Sequence, residues 1–466
     1  MNLLPADGTE PTTDQPAPTR ALSRRGLLAG AAAAGAAASL ARVPFAGATE
    51  PGKATQTRTF PASTFFKEPA LNFEMLFVVA AAAYGAAETG ETLAAFDRIK
   101  GKKERLSAVY DEFLRLGRQC RRRGDEDLKS GRPTAARANY LRSAMYLDQS
   151  LFYVLATKEP TRKHEGRTYN EMNASWARAM ALLEPAAQQV KIPFDGYHLP
   201  GWLLTPGGKG KRPTVIINNG SDAQNIDVYV AGAAAAVERG WNALIFEGPG
   251  QGANLFLHNR PFVADWEHVI TAVVDTLRTR PEVDKRRICL TGSSFGGYLT
   301  PRAAAFEYRL AGLATDPGVT DAFYSWTTAL PKEVLEVFEA GDRNAFNHIW
   351  DSIPKRLSAN EAFNFRKRAE IYGNGDGFEK MTLASKFQLT PDVAARIEAP
   401  TAICAPELEQ YFPGQPEKLF KMLKTKKELL KFTIEEGAEL HCEPMAPQLR
   451  NERVLNWLED NMQPVG

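Results

Sequence analysis

The stretch "RRICLTGSSFGGYLT", residues 286–300, decides how this chain folds. Its apolar run at 288–290 predicts a buried strand, which stops at glycines that enclose two serines. The second serine, Ser294, is central in a G-x-S-x-G pattern, and the neighbours of Ser293 do not fit that spacing. This pattern is typical of a sharp strand-to-helix turn that exposes a reactive serine above a sheet. We therefore predict that Ser294 is a nucleophile, with a purely structural turn as the alternative.

Segments resembling strands and helices alternate on both sides of this turn. Apolar runs followed by polar loops occur in "PTVIINNG" (213–220), "WNALIFEGPGQG" (241–252), "PTAICAPELEQY" (400–411) and "LLKFTIEEGAELH" (429–441). Helical patterns separate these runs, and "VKIPFDGYHLPGWLLTP" (190–206) reads as an edge hairpin. Such alternation predicts an α/β fold with a mostly parallel sheet and helices on both faces.

The pattern divides the chain into three parts. Residues 1–48 form an export signal, residues 49–188 a helical, lid-like domain, and residues 189–466 the catalytic domain. A helical insertion near 320–397 interrupts the catalytic domain before its last strands. We expect the helical domain and the insertion to cover the site.

The signal carries paired arginines and a weakly apolar core. Arg24 and Arg25 precede an Ala/Gly/Leu stretch, and residues 46–48 provide an A-x-A cleavage site. Gly30 and Arg42 interrupt the apolar run before about twenty residues accumulate, which argues against a membrane span. We therefore expect twin-arginine export and a secreted or periplasmic protein.

Composition excludes several classes of partner and cofactor. The 466 residues carry a formal charge of only +2, so we expect no nucleic acid and no stable membrane insertion. Six histidines and four scattered cysteines favour neither a metal cluster nor a disulfide framework. A bridge between Cys404 and Cys442 is an alternative to free thiols.

A serine nucleophile requires a base, and an acid that orients the base. In folds with this turn the chain order is serine, acid, histidine. His441 is the histidine that follows the insertion, whereas His348 falls inside it. Glu409 precedes a proline by four residues at the end of a predicted strand, so we assign it as the acid. Glu407 remains the alternative.

The same reasoning gives a predicted oxyanion hole and substrate contacts. One amide donor comes from Phe295, directly after the nucleophile, and the other from Ser221 or Asp222 in the loop after an earlier strand. Gly220 allows that loop to approach the substrate. Aromatic residues of the insertion, Trp326 among them, are expected to roof an apolar pocket, although a plain lid core explains them equally well.

Four motifs give the chain a family resemblance over roughly residues 65–462. These are "FEGPGQG" (246–252), "GSSFGGY" (292–298), "PELEQYFPGQ" (406–415) and "EGAELHCEP" (436–444). The chain resembles the α/β hydrolases that include FrsA-type esterases and 2,6-dihydroxypseudooxynicotine hydrolase. This resemblance implies cleavage of esters, or of carbon–carbon bonds next to ketones, by a serine–acid–histidine triad without metal or cofactor. It also implies an acidic residue in the oxyanion loop, here Asp222, that hydrogen-bonds the substrate or holds its carbonyl.

We therefore predict a secreted serine hydrolase that acts on a small carbonyl compound through an acyl-enzyme. An acyltransferase with the same triad and a non-catalytic protein with the same scaffold are the alternatives. The sequence leaves the assembly open between a monomer and a homodimer.

Overall fold

The computed structural model of the chain describes residues 65–465. The export signal expected at 1–48 lies outside the described residues. Across 65–465, no helix combines the length and the apolar character that a membrane crossing requires.

An eight-stranded sheet forms the centre of the fold. Its strands are β1 (Gln188–Phe194), β2 (Tyr197–Leu204), β3 (Arg212–Asn218), β4 (Asn242–Phe246), β5 (Val283–Ser293), β6 (Gly312–Asp316), β7 (Thr401–Pro406) and β8 (Lys427–Phe432). The spatial order is β1-β2-β4-β3-β5-β6-β7-β8. β2 runs antiparallel to both β1 and β4, and all other neighbours are parallel. The predicted edge hairpin and the mostly parallel α/β sheet are therefore confirmed.

Helices precede the sheet, connect its strands and fill the insertion. The first group is α1 (Pro69–Ala80), α2 (Thr89–Lys100), α3 (Arg105–Lys129), α4 (Pro133–Phe152) and α5 (Arg162–Ala181). The second is α6 (Asn225–Val228), α7 (Ala234–Glu238), α8 (Gly252–Phe256), α9 (Trp266–Arg278) and α10 (Gly296–Ala304). The insertion contains α11 (Tyr324–Thr327), α12 (Lys332–Glu339), α13 (Arg343–Ser352), α14 (Ala359–Glu370), α15 (Gly377–Ala384) and α16 (Pro391–Ala394). The last two are α17 (Gln415–Met422) and α18 (Pro447–Asn461).

The two faces of the sheet belong to two hydrophobic cores, because successive strand residues point to opposite sides. Ile216, Leu244 and Leu290 pack with α9, α10 and the insertion. Ile217 and Ile245, next to them in sequence, pack with the N-terminal helices and α18. The N-terminal helices and one face of the sheet thus share a hydrophobic core. This packing fixes α1 close to the ends of the strands.

Candidate active site

The turn after β5 holds Ser294 in a backbone conformation that few side chains adopt. β5 ends at Ser293, α10 begins at Gly296, and Ser294 between them has a φ of 58°. A non-glycine residue at positive φ is strained, and the conformation persists only where the surroundings fix it. Here the Ser294 amide donates a 2.6 Å hydrogen bond to the carbonyl oxygen of Asp316, at the end of β6. This bond fixes the residue that carries the predicted nucleophile.

The glycines on either side of the serine pair are required by close packing. A Cβ at Gly292 would lie 2.4 Å from the carbonyl oxygen of Gly296. A Cβ at Gly297 would lie 1.9 Å from the carbonyl oxygen of Pro317. Both distances are far inside van der Waals contact. A side chain at Gly292 would force β5 and α10 apart, and one at Gly297 would force α10 away from the loop after β6.

Ser294, His441 and Glu409 form one hydrogen-bonded line. His441 Nε2 lies 3.0 Å from Ser294 Oγ, and Nδ1 lies 2.9 Å from each carboxylate oxygen of Glu409. The residues His441 and Glu409 are only 4% and 8% exposed. With Nδ1–H donating to the carboxylate, Nε2 is the nitrogen that accepts the serine proton. The arrangement therefore suits nucleophilic catalysis by Ser294.

Backbone amides hold the Glu409 carboxylate in place. The amides of Tyr411 and Phe412 donate to its Oε1 at 2.8 and 3.0 Å. Burial raises the pKa of Glu409, but the adjacent His441 and these amides outweigh it, so the pKa lies below its ordinary value. The acid is consequently an anion when the imidazole becomes protonated.

The other carboxylate near this strand, Glu407, has a different role. Glu407 is exposed, and its Oε2 accepts a 2.9 Å hydrogen bond from the amide of Ile434. It therefore fixes the turn after β8, while Glu409 contacts the imidazole of His441.

Aromatic rings enclose the imidazole. The ring centroids of Tyr411, Phe412 and Phe73 lie 4.8, 5.9 and 6.4 Å from that of His441. Tyr411 and Phe412 come from the loop that carries the acid, whereas Phe73 comes from α1. The rings reduce the access of water to His441, which strengthens its electrostatic interaction with Glu409.

The loop after β3 lies against the serine turn. A Cβ at Gly220 would lie 2.9 Å from the Cβ of Ser294 and 3.3 Å from the amide nitrogen of Phe295. Glycine thus permits this approach. Gln251 Nε2 donates to the carbonyl oxygen of Gly220 at 3.0 Å and holds the loop in place. Gly220 and Phe295 both line the cavity above the serine.

Ser221 and Asp222, the next two residues, also line this cavity. Ser221 Oγ donates to Asp222 Oδ2 at 2.5 Å, so the two side chains fix each other. The structure therefore brings both residues of the predicted oxyanion loop to the mouth of the site.

The cavity has a volume of about 460 Å³ and opens directly onto Ser294 and His441. That volume lies in the usual range for small-molecule sites. Its walls include α1, α4, the loop after β3 and α14 of the insertion. The residues that α1 and α14 contribute include Phe73, Glu74, Phe77, Lys367 and Arg368.

Charged side chains give the otherwise apolar cavity a polar wall. Lys367 Nζ pairs with Glu370 at 2.6 Å. Burial raises the pKa of the Glu74 carboxyl to about 8, and the charge of Asp222 contributes to that shift. Glu74 is consequently neutral at pH 7 and faces the cavity as a potential hydrogen-bond donor.

Trp326, expected to contact the substrate, does not line the cavity. It is fully buried inside the insertion, with its ring 5.2 Å from Trp350 and 5.9 Å from Phe365. The ring therefore belongs to the hydrophobic core of the insertion. The expectation for Trp326 is corrected accordingly.

The cysteines of the described chain are free thiols. The alternative of a Cys404–Cys442 bridge is therefore wrong, and Cys442 Sγ instead donates to the carbonyl oxygen of Asp316 at 3.3 Å. Over residues 65–465, no group of three or more His, Cys, Asp or Glu side chains could hold a metal ion.

Sequence reasoning missed several residues around the site, among them Phe73, Glu74 and Arg450. Phe73 and Glu74 lie on a helix that reads as uniformly apolar, so nothing in its pattern marks the face that meets the cavity. Arg450 is 3% exposed in α18, where its Nε pairs with Asp316 at 2.8 Å and its Nη2 donates to Ser293 Oγ at 3.1 Å. A basic residue among the apolar positions of the last helix is the signal that could have identified Arg450.

The chain is similar in sequence to known esterases and hydrolases. Residues 132–332 match the family described as Esterase FrsA-like. Hydrolase LUC6 of a Fusarium species is 29% identical over 86% of this chain and 97% of that protein. The α/β hydrolase psoB of Aspergillus fumigatus is 32% identical over 74% of this chain and 81% of that protein.

Among solved structures, the crystal structure of 2,6-dihydroxy-pseudo-oxynicotine hydrolase has a TM-score of 0.60. The match covers 82% of this chain and 95% of that chain at 20% identity, so it bears on the fold alone. The α/β-hydrolase fold predicted from the sequence is thereby confirmed.

Proposed function

The chain belongs to the α/β hydrolases, and from that membership we propose a serine hydrolase with a Ser294–Glu409–His441 triad. Its substrate is a small organic carbonyl compound, cleaved at an ester, a lactone or a carbon–carbon bond next to a ketone. The observation that carries this proposal is the hydrogen-bonded line from Ser294 Oγ through His441 to Glu409 at the floor of the cavity.

In the first half of the reaction, Ser294 Oγ attacks the carbonyl carbon while His441 Nε2 accepts its proton. The ionised Glu409 stabilises the imidazolium that forms. The amides of Phe295 and of the 221–222 loop stabilise the developing oxyanion, while the side chain of Asp222 binds the substrate.

Collapse of the tetrahedral intermediate expels the leaving group, which takes the proton from His441. The leaving group is an alcohol for an ester, and a ketone-stabilised carbanion for a carbon–carbon bond. Water then attacks the acyl-enzyme with His441 as base, and Ser294 Oγ leaves with the returned proton.

The site of action follows from the export signal expected at residues 1–48. We propose that the protein works outside the cytoplasm, in the periplasm or the medium. Replacing Arg24 and Arg25 together by lysine should retain the protein in the cytoplasm, which cell fractionation would detect. Unchanged export would refute the twin-arginine route.

The function is tested with a panel of aryl esters, lactones and β-diketones on the wild-type chain and the Ser294→Ala variant. Hydrolysis that requires Ser294 supports the proposal, and the preferred class identifies the bond. Transfer of the acyl group to an added alcohol, without release to water, would instead identify an acyltransferase. No reaction of wild-type Ser294 with a fluorophosphonate would refute the catalytic role.

A further inference from the structure

Two carboxyl groups meet in the buried region behind the triad. Asp316, at the end of β6, is 1% exposed, and Glu443, two residues after His441, is 0% exposed. Within residues 65–465, neither oxygen of Glu443 nor Oδ1 of Asp316 receives a hydrogen bond from an ordinary donor. The two carboxyls lie within hydrogen-bonding reach of each other. Protonation of Glu443 removes the strong repulsion that two adjacent buried anions would have.

The groups around this pair favour the protonated form of Glu443. Arg450 Nε lies 2.8 Å from Asp316 Oδ2 and neutralises that carboxylate. Burial raises the pKa of Glu443 well above its ordinary value, and Asp316 raises it further, against the opposing effect of Arg450. Glu409 on the loop after β7 acts in the same direction as Asp316. The thiols of Cys404 and Cys442 also face the pair, and burial raises the pKa of both, which keeps them neutral.

Asp316 also contacts the two segments that carry the proposed catalytic residues Ser294 and His441. The carbonyl oxygen of Asp316 accepts hydrogen bonds from the Ser294 amide at 2.6 Å and from the Cys442 thiol at 3.3 Å. Arg450 donates to Ser293 Oγ at 3.1 Å and to the carbonyl oxygen of Ala231, beyond the oxyanion loop. The turn that carries Ser294 and the segment after His441 are therefore both hydrogen-bonded to Asp316.

The histidine segment itself requires such an anchor. Cys442 and Glu443 have φ values of 58° and 45°, which non-glycine residues adopt only under constraint. His441 directly precedes them, so relaxation of this strain would move the imidazole away from Ser294. A side chain that fastens Glu443 to Asp316 would prevent that movement.

We propose that Glu443, as a neutral acid donating a hydrogen bond to Asp316, is a positioning residue that holds the His441 segment against the turn carrying Ser294. The inference rests on the proposed function, because it presumes that His441 activates Ser294. As the pH rises, ionisation of Glu443 removes its hydrogen bond to Asp316 and places two anions beside one arginine. The segment then loosens, and turnover falls.

The test compares Glu443→Gln and Glu443→Ala with the wild-type full-length chain. Glutamine keeps a donor for Asp316 but cannot ionise, whereas alanine removes the contact. Glu436→Gln is the matched control, since Glu436 pairs at the surface with Arg453 in the same connection between β8 and α18. The readouts are the rate of Ser294 phosphonylation by a fluorophosphonate, and the pH profiles of kcat and KM on the best ester found.

Glu443→Ala is expected to lower kcat and the phosphonylation rate by roughly 10²-fold, the effect of a displaced catalytic group, with little change in KM. Glu443→Gln should retain most of the maximal rate and lose the decline in turnover that the wild type shows as the pH rises. Glu436→Gln should keep both the rate and the decline.

An equal loss of turnover in the glutamine and alanine variants would overturn the inference, as would a decline with rising pH that persists in Glu443→Gln. The glutamine profile remains decisive if the alanine variant does not fold. If the wild type itself fails to react with the fluorophosphonate, the proposed function fails. If it reacts at the same rate as Glu443→Ala, only the role of Glu443 fails.

Discussion

The ring of Phe73 lies 6.4 Å from the imidazole of His441, centroid to centroid, although the two residues come from opposite ends of the described chain. Phe73 also lies 5.5 Å from Tyr411, so α1 completes the aromatic enclosure of the histidine. The N-terminal helical segment is therefore part of the site as well as its cover.

Replacing Phe73 by alanine should lower kcat/KM by roughly tenfold, about 1.4 kcal/mol of transition-state stabilisation. The reason is that water gains access to the His441–Glu409 pair and weakens its interaction. Steady-state kinetics on an aryl ester measures the effect. Tyr308→Ala, at a ring that is 49% exposed, is the control. Equal kinetics for the two variants would contradict the role of α1.

The serine pair offers an internal comparison. Ser294→Ala should reduce kcat by several orders of magnitude and abolish fluorophosphonate labelling, because the nucleophile is lost. Ser293→Ala removes only a hydrogen-bond acceptor for Arg450, so labelling should persist and kcat should fall less than about tenfold. A labelled Ser294→Ala protein would identify a different nucleophile.

The two glutamates near the end of β7 form a second matched pair. Glu409→Gln should lower kcat by about 10⁴-fold, because an amide neither orients the imidazole nor stabilises its cation. Glu407 is exposed and accepts a hydrogen bond only from the Ile434 amide, so Glu407→Gln should keep kcat within about twofold of the wild-type value. The comparison uses kcat at saturating substrate. A larger loss in the Glu407 variant would reverse the assignment of the acid.

Glu74 should make substrate binding depend on pH. Its pKa of about 8 means that the carboxyl is neutral below that pH and becomes an anion inside the cavity above it. The KM of an ester that carries a carboxylate should therefore rise as the pH passes about 8, while that of a neutral ester changes little. Glu74→Gln should remove this rise, and Glu417→Gln, at an exposed residue of α17, should retain it. An identical rise in both variants would show that another group titrates.

The packing of the serine turn predicts a large loss of stability. Gly297→Ala should lower the free energy of unfolding by about 3 kcal/mol, since the new methyl would overlap the carbonyl oxygen of Pro317. Gly90→Ala, exposed in α2 with no atom within 4 Å of its Cβ, should raise it by up to about 1 kcal/mol. Urea unfolding measures both. Similar stabilities for the two variants would contradict the close approach.

The sequence predicted the parts of this molecule that local pattern controls. Alternating strands and helices gave the mostly parallel sheet, and the glycine spacing around Ser294 marked the turn, because both depend on residues close in the chain. Choosing between Glu409 and Glu407 required the three-dimensional path of one loop, which places one carboxylate at the imidazole and the other at a backbone amide.

Contacts between distant segments lay beyond that reasoning. Trp326 is an aromatic residue of the kind that lines pockets, but it lies in the core. The aromatic pattern did not distinguish these positions, because it does not show which face of a short helix turns inward. Phe73 and Arg450 meet the site from either end of the described chain, and no spacing rule connects them to residues 292–297. These residues become visible only when the packing of α1 and α18 is known.

Arg450 has a consequence for the order in which the protein becomes active. The arginine that contacts Ser293 and Asp316 belongs to α18, which follows all eight strands of the sheet in chain order. During synthesis the sheet can assemble while its serine turn still lacks this support. A polypeptide that stops short of α18 therefore lacks the arginine that holds the turn carrying Ser294.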